Sequence, residues 1–486
     1  MSETCCIRKI DWLIAWDEAR GRHVYLRDAD LALAEGRIVH VGGRYEGAAQ
    51  REVDGRERFV MPGLVDIHSH PMSEPMNKGI TDEMGSPRLG MSGLYEYMPA
   101  FRPDAEGMAA CAELAYAELL LSGVTTLVDL SVAWDGWLEL LAKSGLRGVI
   151  APMYRSARWY TRNGHSVDYE WDEAAGRAGL DRALQLIERA RQHACGRLDG
   201  MLSPSQVDTC TEALIRDSIA AARERRLPIQ IHASQSVVEF HEMTRRHGVS
   251  PVQWLHSIGF LGENAIIAHC IFVDHHSWLH WHTRKDVGLL AESGTSVAHC
   301  PTVFVRRGIL LESMGEYLRA GINIGLGTDT FPHNLMEELR AAATLSRVAA
   351  EDVTVLGTGD AFNAATVGGA RALGREDIGR LAVGCKADFV AIDTRHPAMQ
   401  PLRDPLRSLV YAAAERAVRE VFVGGEQVVA DGKVLTLDHQ GAALRVAEAQ
   451  KRAEARVPEL DYARRSATEL VPLSLSVGSF VQGPKP

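Results

Sequence analysis

The chain of 486 residues is 46% hydrophobic and 24% charged, the balance of a globular protein long enough for one large domain and a smaller one. Its net charge of −10, with no basic cluster, argues against nucleic acid or an anionic membrane surface as partner, and no apolar run reaches the roughly 18 residues that span a bilayer. Met1 to Cys6 lacks the basic-then-apolar order of a secretory leader, and eight cysteines (5, 6, 111, 195, 210, 270, 300 and 385) without Cys-x-x-Cys spacing read as reduced thiols, so the expected location is the cytoplasm.

Residues 8–58 carry short β-like segments, among them Trp12-Leu-Ile-Ala and Gly36-Arg-Ile-Val-His-Val-Gly, separated by Gly and Asp. The stretch Val60-Met-Pro-Gly-Leu-Val-Asp-Ile-His-Ser-His70 then ends an apolar run in two histidines spaced i, i+2. Side chains at that spacing leave the same face of a strand, so His68 and His70 are placed to grip one divalent metal. Two ordinary histidines at a strand end are the plain alternative. The bend at Pro62-Gly63 and the nearly all-apolar run, as in a buried parallel strand, favour the metal.

From there strand, loop and helix alternate. Strands two to five are read at Thr125-Thr-Leu-Val-Asp-Leu, Gly148-Val-Ile-Ala-Pro-Met, Asp199-Gly-Met-Leu-Ser and Pro228-Ile-Gln-Ile-His. Strands six to eight are read at Ala265-Ile-Ile-Ala-His, Ser296-Val-Ala-His-Cys and Asn323-Ile-Gly-Leu-Gly-Thr-Asp. Amphipathic helical stretches lie between most of them, for example Thr211 to Arg226 and Glu337 to Ala350. Eight such units describe a (β/α)8 TIM barrel, and short strands return between Leu381 and Leu435. The expected organisation is an α/β fold: residues 1–58 as the first part of a small β-sandwich, 59–378 as the barrel, 379–440 as the second part of the sandwich, and 441–486 as a C-terminal helix and tail. Pro458, Pro472, Pro484 and Pro486 mark that tail as wrapping or disordered.

Residues at the carboxyl ends of barrel strands converge on one mouth. The strand assignments put His68 and His70 there from strand one, His232 from strand five, His269 from strand six and Asp329 from strand eight. Any one of these histidines alone is more simply a buried side chain satisfied by a carbonyl. Five metal-compatible residues in the same position relative to their strands are not explained that way. Three imidazoles and one carboxylate with an open position describe a catalytic metal site. Such a metal lowers the pKa of a bound water to about 7 and polarises the bond under attack. Asp329 is then placed to take the water's proton, and His269 to orient the water or the substrate's electronegative atom.

At these residues the chain resembles the amidohydrolase superfamily, in its aminohydrolase and chlorohydrolase branch. The resemblance rests on Pro62-Gly-Leu-Val-Asp-Ile-His-Ser-His, Ser122-Gly-Val-Thr-Thr, Ile231-His, Ala268-His-Cys, His299-Cys-Pro-Thr, Gly327-Thr-Asp and Gly384-Cys-Lys-Ala-Asp-Phe-Val, in that order and over nearly the whole chain. It implies a barrel with a flanking β-sandwich, a metal held by His68, His70, His232 and Asp329, and His269 in contact with water or substrate. Two-metal members use a carboxylated lysine at the end of strand four. That stretch here is Met201-Leu-Ser-Pro-Ser-Gln, so one divalent ion is expected, zinc first, with iron, cobalt or manganese suiting the same donors.

One departure bears on the reaction. Members that deaminate nucleobases or dechlorinate triazines typically carry a proton-shuttling glutamate three residues after the strand-five histidine. Here the run is His232-Ala-Ser-Gln235, and an amide does not exchange protons at neutral pH. Glu239 reads as an N-terminal helix charge, not a relocated acid. The expectation from sequence is therefore hydrolysis of a non-peptide C–N bond of amide, urea, carbamate or thiocarbamate type. The alternative is hydrolytic deamination or dechlorination of an N-heterocycle, with Gln235 orienting the ring. A metal-free scaffold relative is the reading from outside enzymology.

Trp159 and Tyr160, in the aromatic loop after strand three, and Phe304 are read as an apolar substrate wall, with surface packing as the alternative. His276 and His280, one helical turn apart within the cluster His275–His282, could bind a metal, but a solvated face is the favoured reading. His299 is left open between lining the pocket and structure, and Arg306-Arg307 are read as solvated. The expected partner is a small-molecule substrate, with neither nucleic acid nor membrane, in a homo-oligomer of two or more copies.

Overall fold

The computed structural model describes residues 4–478. Eight short parallel strands form its centre. Strands one to four are Leu64–Ser69, Val124–Asp129, Arg147–Ile150 and Leu198–Gly200; strands five to eight are Ile229–Ala233, Ala265–His269, Ser296–His299 and Ile324–Leu326. They make two four-stranded sheets, ordered four-three-two-one and five-six-seven-eight. Parallel bridges from Leu202 to Ile229 and from Ser69 to Asp329 link the sheets at both seams, so the eight strands run in cyclic order. At the second seam Asp329 N donates to His68 O (2.8 Å) and His70 N to Asp329 O (3.0 Å). This is the (β/α)8 arrangement, with helices packed outside it.

The strands are nearly continuous apolar runs because both faces are covered. Between them, helices start and stop where local chemistry dictates. Thr211 caps helix Glu212–Arg225 by accepting from Leu214 N, and the helix ends on Arg226 in the left-handed region. Asn334 caps helix Leu335–Ala350, whose buried stripe runs through Leu335, Leu339, Ala342 and Ala343.

The run Val60–His70 is not one strand. Arg58–Pro62 belongs to a seven-stranded sheet outside the barrel, and Leu64–Ser69 opens the barrel. Gly63 lies between them because a Cβ there would meet the Thr125 side chain at 2.1 Å. The seven-stranded sheet combines N-terminal strands with strands drawn from Phe389–Val434, and a four-stranded sheet from Cys5–Asp54 faces it. Ile10, Leu13, Leu31, Ile38, Val60 and Phe389 fill the space between, which is the small β-sandwich built from both ends of the chain. Arg147 of strand three ties sandwich to barrel through two hydrogen bonds of 2.9 Å to the buried Asp388.

Helix His439–Leu460 lays Ala442, Val446, Ala449 and Ala453 against Met76, Cys111 and Leu114 of the loop and helix after strand one. Beyond it, Arg465 binds Glu96 (2.9 Å) and Asp461 (2.7 Å), so this segment wraps onto the loop that walls the barrel mouth. Pro484 and Pro486 lie outside the described residues. None of the eight cysteines is in a disulfide. Among the described residues no helix is long and apolar enough to cross a membrane.

Candidate active site

His68, His70, His232, His269 and Asp329 meet at the carboxyl ends of the strands. The ring centroids of His70, His232 and His269 lie 5.0, 4.8 and 4.9 Å from that of His68. Three Nδ1 atoms face fixed acceptors: His68 the Gln230 amide oxygen, His70 the Leu130 carbonyl (2.7 Å) and His232 the Ser205 carbonyl (2.7 Å). Gln230 is oriented by its own Nε2 donating to Ile67 O at 3.1 Å. Each Nδ1 therefore carries the proton, and each Nε2 presents a lone pair. Those lone pairs converge. His70 Nε2 is 3.2 Å from His232 Nε2, and Asp329 Oδ1 is 3.3 Å from both His68 Nε2 and His70 Nε2. Four acceptors aimed at one point repel one another unless a cation lies among them, and His68 Nε2 is buried with no hydrogen-bond partner among the described residues. The donor set fits a divalent metal.

The electrostatics agree. Burial lowers the His70 imidazole to about 4 and His269 to about 3, and holds His232 well below its ordinary value with help from the neighbouring imidazoles. Burial works to raise the Asp329 carboxyl, but His269, His68 and His70 outweigh it and hold it well below the usual carboxylate range. Neutral imidazoles and an ionised carboxylate are the forms that bind metal. A second group of donor atoms, from His68, His269 and Cys300, lies equally close. It suits a cation less, because burial and the carboxylates of Asp329, Glu338 and Asp66 push the Cys300 thiol well up, towards its neutral form.

The backbone is bent to bring these groups in. Ser234, His269 and Asp329 have φ of 56°, 74° and 56°, left-handed values that cost a non-glycine residue on the order of 1 kcal/mol or more and collect at functional sites. Gly327 backs His68, where a Cβ would meet the histidine's own Cβ at 2.6 Å. Asp66 Oδ1 accepts from His68 N (3.0 Å) and Oδ2 from Thr328 Oγ1 (2.7 Å), fastening strand one to the turn that carries Asp329.

A cavity of about 390 Å³ opens over the cluster, lined by His70, His232, His269 and Asp329 together with Gln235, Trp159 and Phe304. The Phe304 ring stands 4.7 Å from that of His269. Gln235 is buried, and among the described residues its Nε2 has no hydrogen-bond partner. A larger hollow of about 780 Å³, around Asn323, Asp360 and Arg380, lies at the amino end of strand eight, away from the imidazoles.

Several sequence readings change here. Arg307 is not fully solvated: it is partly buried, donates to Met84 O (3.1 Å) and Val303 O (2.9 Å), and lines the cavity. Arg306 is mostly covered as well, donating to Phe331 O at 2.7 Å. His299 is buried and lowered to about 4, but does not line the cavity. Tyr160 lines a neighbouring groove instead. His276 and His280 are not on a helix, so the one-turn spacing has no force; His276 Nδ1 accepts from Trp278 N, and Nε2 lies 3.3 Å from Leu310 O. Glu239 does sit in the first turn of a helix, Val237–His247, yet it is fully buried and accepts from the backbone N of Ser234 and Gln235.

Sequence reasoning missed Glu74. It lies in a short 3-10 turn within the long loop after strand one, is buried, and lines the cavity. Burial and the Asp329 carboxylate raise it to about 7. Among the described residues only a long hydrogen bond from Asn77 (3.4 Å) reaches its carboxyl group. Nothing in its spacing marks it. Arg102 and Arg155, both solvent-exposed, also line the cavity, and among the described residues no ion pair joins either to a carboxylate; partial desolvation lowers both, helped by Arg158 at Arg102 and by Arg102 at Arg155.

Comparison with known proteins agrees with this geometry. Residues 59–428 match the model of the amidohydrolase family. A 5′-deoxyadenosine deaminase of Methanothermobacter thermautotrophicus is 30% identical over 421 residues, covering 85% of this chain and 92% of its own. A 5-methylthioadenosine/S-adenosylhomocysteine deaminase of Natronomonas pharaonis is 32% identical over 430 residues, covering 87% and 93%. Among solved structures, an adenosine deaminase of Xanthomonas campestris with bound zinc superposes with a TM-score of 0.78 at 24% identity, covering 93% of this chain and 98% of that one. An atrazine chlorohydrolase of Arthrobacter aurescens complexed with zinc gives 0.76 at 21% identity, covering 92% and 100%. The chain belongs to the amidohydrolase family and is a hydrolase of carbon–nitrogen bonds other than peptide bonds.

Proposed function

We propose that this protein is a metal-dependent hydrolytic deaminase of an amino-substituted N-heterocycle of the adenosine kind. The observation that carries the reading is the convergence of three Nε2 lone pairs and the Asp329 carboxylate at the floor of the cavity. The substrate class is supported by deaminase relatives matched along most of the chain. His68, His70, His232 and Asp329 would hold one divalent ion, zinc first for three imidazoles and a carboxylate, with iron, cobalt or manganese as alternatives. When bound, that ion supplies a Lewis acid and makes water nucleophilic near neutral pH.

The chain's own groups do the rest. Asp329, ionised at neutral pH, takes a proton from the attacking water and returns it to the departing nitrogen. His269 hydrogen-bonds the oxygen that builds up on the attacked carbon. The water oxygen becomes the ring carbonyl, the exocyclic C–N bond breaks, and ammonia leaves. Gln235 offers its unpartnered Nε2 to the ring and orients it. Glu74, raised to about 7, supplies the exchangeable proton that an amide cannot. Trp159 and Phe304 flank the ring, and the unpaired Arg102 and Arg155 suit an anionic substituent.

Gln235 also supports a second reading, in which the substrate is an amide, urea, carbamate or thiocarbamate whose carbonyl needs no ring protonation. The test is the product. Zinc-loaded protein is given 5′-deoxyadenosine, 5′-methylthioadenosine, a phenylurea and a thiocarbamate. Ammonia from the nucleosides supports deamination, and release of an aryl or alkyl amine from the other two supports the second reading. A Gln235→Glu variant that gains deamination where wild type has none would also favour the second.

A further inference from the structure

Beyond the catalytic cavity lies a groove of about 550 Å³, walled by Tyr160, Tyr169 and the end of the C-terminal helix at Glu459–Tyr462. The two hollows share Pro99, Arg102, Arg158 and Trp159. Trp159 therefore has one side towards each.

What holds Trp159 there is a buried carboxylate. Trp159 and Tyr169 face each other across the hairpin of strands Ala157–Tyr160 and Asp168–Trp171. Directly opposed residues project from the same side of such a hairpin. Both reach one oxygen: Asp208 Oδ2 accepts from Trp159 Nε1 and from Tyr169 OH, each at 2.8 Å. Asp208 is fully buried, and among the described residues its other oxygen has no hydrogen-bond partner. Arg246 locks the acid's backbone by donating to Asp208 O at 2.7 Å, and its guanidinium lies 4.5 Å over the Tyr169 ring. On the groove side the Tyr95 ring meets Trp159 edge-on at 5.1 Å, and its hydroxyl bonds Ser236 Oγ (2.8 Å), next to Gln235. A buried carboxylate with two neutral donors is costly to keep, so its retention beside a pocket wall calls for a role.

We propose that Asp208 is a positioning residue that fixes Trp159 as a partition between catalytic cavity and outer groove, so that the enzyme selects compact substrates over those with a long substituent. The proposal rests on the deaminase reading for its substrates. Its test compares kcat/KM for 5′-deoxyadenosine with that for S-adenosylhomocysteine. Wild type favours the compact nucleoside. Trp159→Ala joins the two hollows and moves the ratio towards S-adenosylhomocysteine by about tenfold, the effect of about 1.4 kcal/mol of differential binding. Asp208→Ala moves it in the same direction through KM, leaving kcat on the compact substrate within about threefold. Asp208→Asn, which keeps an acceptor oxygen, moves it less. The double variant Asp208→Ala/Trp159→Ala shifts no further than Trp159→Ala alone. An unmoved ratio in a folded Trp159→Ala protein, or additive shifts in the double variant, overturns the proposal. If no nucleoside is turned over at all, the deaminase reading fails and hydrogen exchange decides the positioning: amides of residues 157–171 exchange faster in Asp208→Ala if Asp208 pins the hairpin, and unchanged exchange refutes it.

Discussion

Gln230→Met tests whether the site is built by orienting imidazoles before any ion arrives. Gln230 is fully buried on strand five; its oxygen faces His68 Nδ1, and its Nε2 donates to Ile67 O at 3.1 Å. Methionine has similar volume and flexibility, so packing changes little. The variant leaves the His68 N–H and the Ile67 carbonyl unpaired, each worth about 1–3 kcal/mol of lost stability, with about 2–4 kcal/mol expected for the pair after local relaxation. Losing the partner that fixes a metal-ligating imidazole costs about 10–100-fold in metal affinity, or about 1.4–2.7 kcal/mol. Zinc affinity is read by competition with a chromophoric chelator, and stability by thermal melts of apo and loaded protein. The zinc-induced rise in Tm should shrink in Gln230→Met. Gln230→Glu, which offers a carboxylate to the same N–H, should keep zinc affinity at or above wild type. If Gln230→Met binds zinc as wild type does while Gln230→Glu loses it, the orientation argument is wrong.

Arg147→Ala leaves Asp388 charged and buried between barrel and sandwich, and urea unfolding should show a loss of about 3–5 kcal/mol, whereas replacing both partners with apolar residues should cost much less. His70 and His269 have folded-state values depressed to about 4 and 3, below the ordinary 6.5. The unfolded chain therefore binds more protons below pH 6.5, so apoprotein stability should fall as pH drops from there towards about 4. Because these imidazoles stay neutral in the fold, zinc should be retained to about pH 5 in dialysis followed by elemental analysis; loss of metal by pH 6.5 would contradict the assignment. Glu74→Gln should lower kcat for deamination by about 100-fold or more with little change in KM. The acid acts protonated, so wild-type activity should decline on the alkaline side of its titration near 7, a limb a bound dication moves lower, and that decline should vanish in the variant.

Much of this site was legible before the fold was known, and the reason is periodicity. Strand ends in a barrel share one mouth, so five polar residues closing four apolar runs could be placed together without contacts. Gln230 was not singled out from sequence, although it lies two residues before His232, on the same face of an otherwise apolar strand. The carbonyl partners Leu130 and Ser205 leave no trace in sequence, because any residue type offers a backbone oxygen. Glu74, Arg102, Arg155 and Arg307 sit on loops whose course follows long-range packing, and a loop arginine that lines a cavity reads the same as a fully solvated one. Asp208 takes its meaning from Trp159 and Tyr169, which lie 49 and 39 residues away along the chain. The split of Val60–His70 between two sheets was signalled only by Pro62-Gly63, and its cause, the Thr125 side chain against Gly63, is a tertiary contact.

The most direct test of the account is ammonia release by zinc-loaded protein from 5′-deoxyadenosine and 5′-methylthioadenosine, with metal content measured on the same sample. The account predicts about one zinc per chain, ammonia in step with the hypoxanthine product, and loss of both metal and activity in His70→Ala. A protein that takes up no metal, or one that binds zinc and releases no ammonia from either nucleoside, would contradict it.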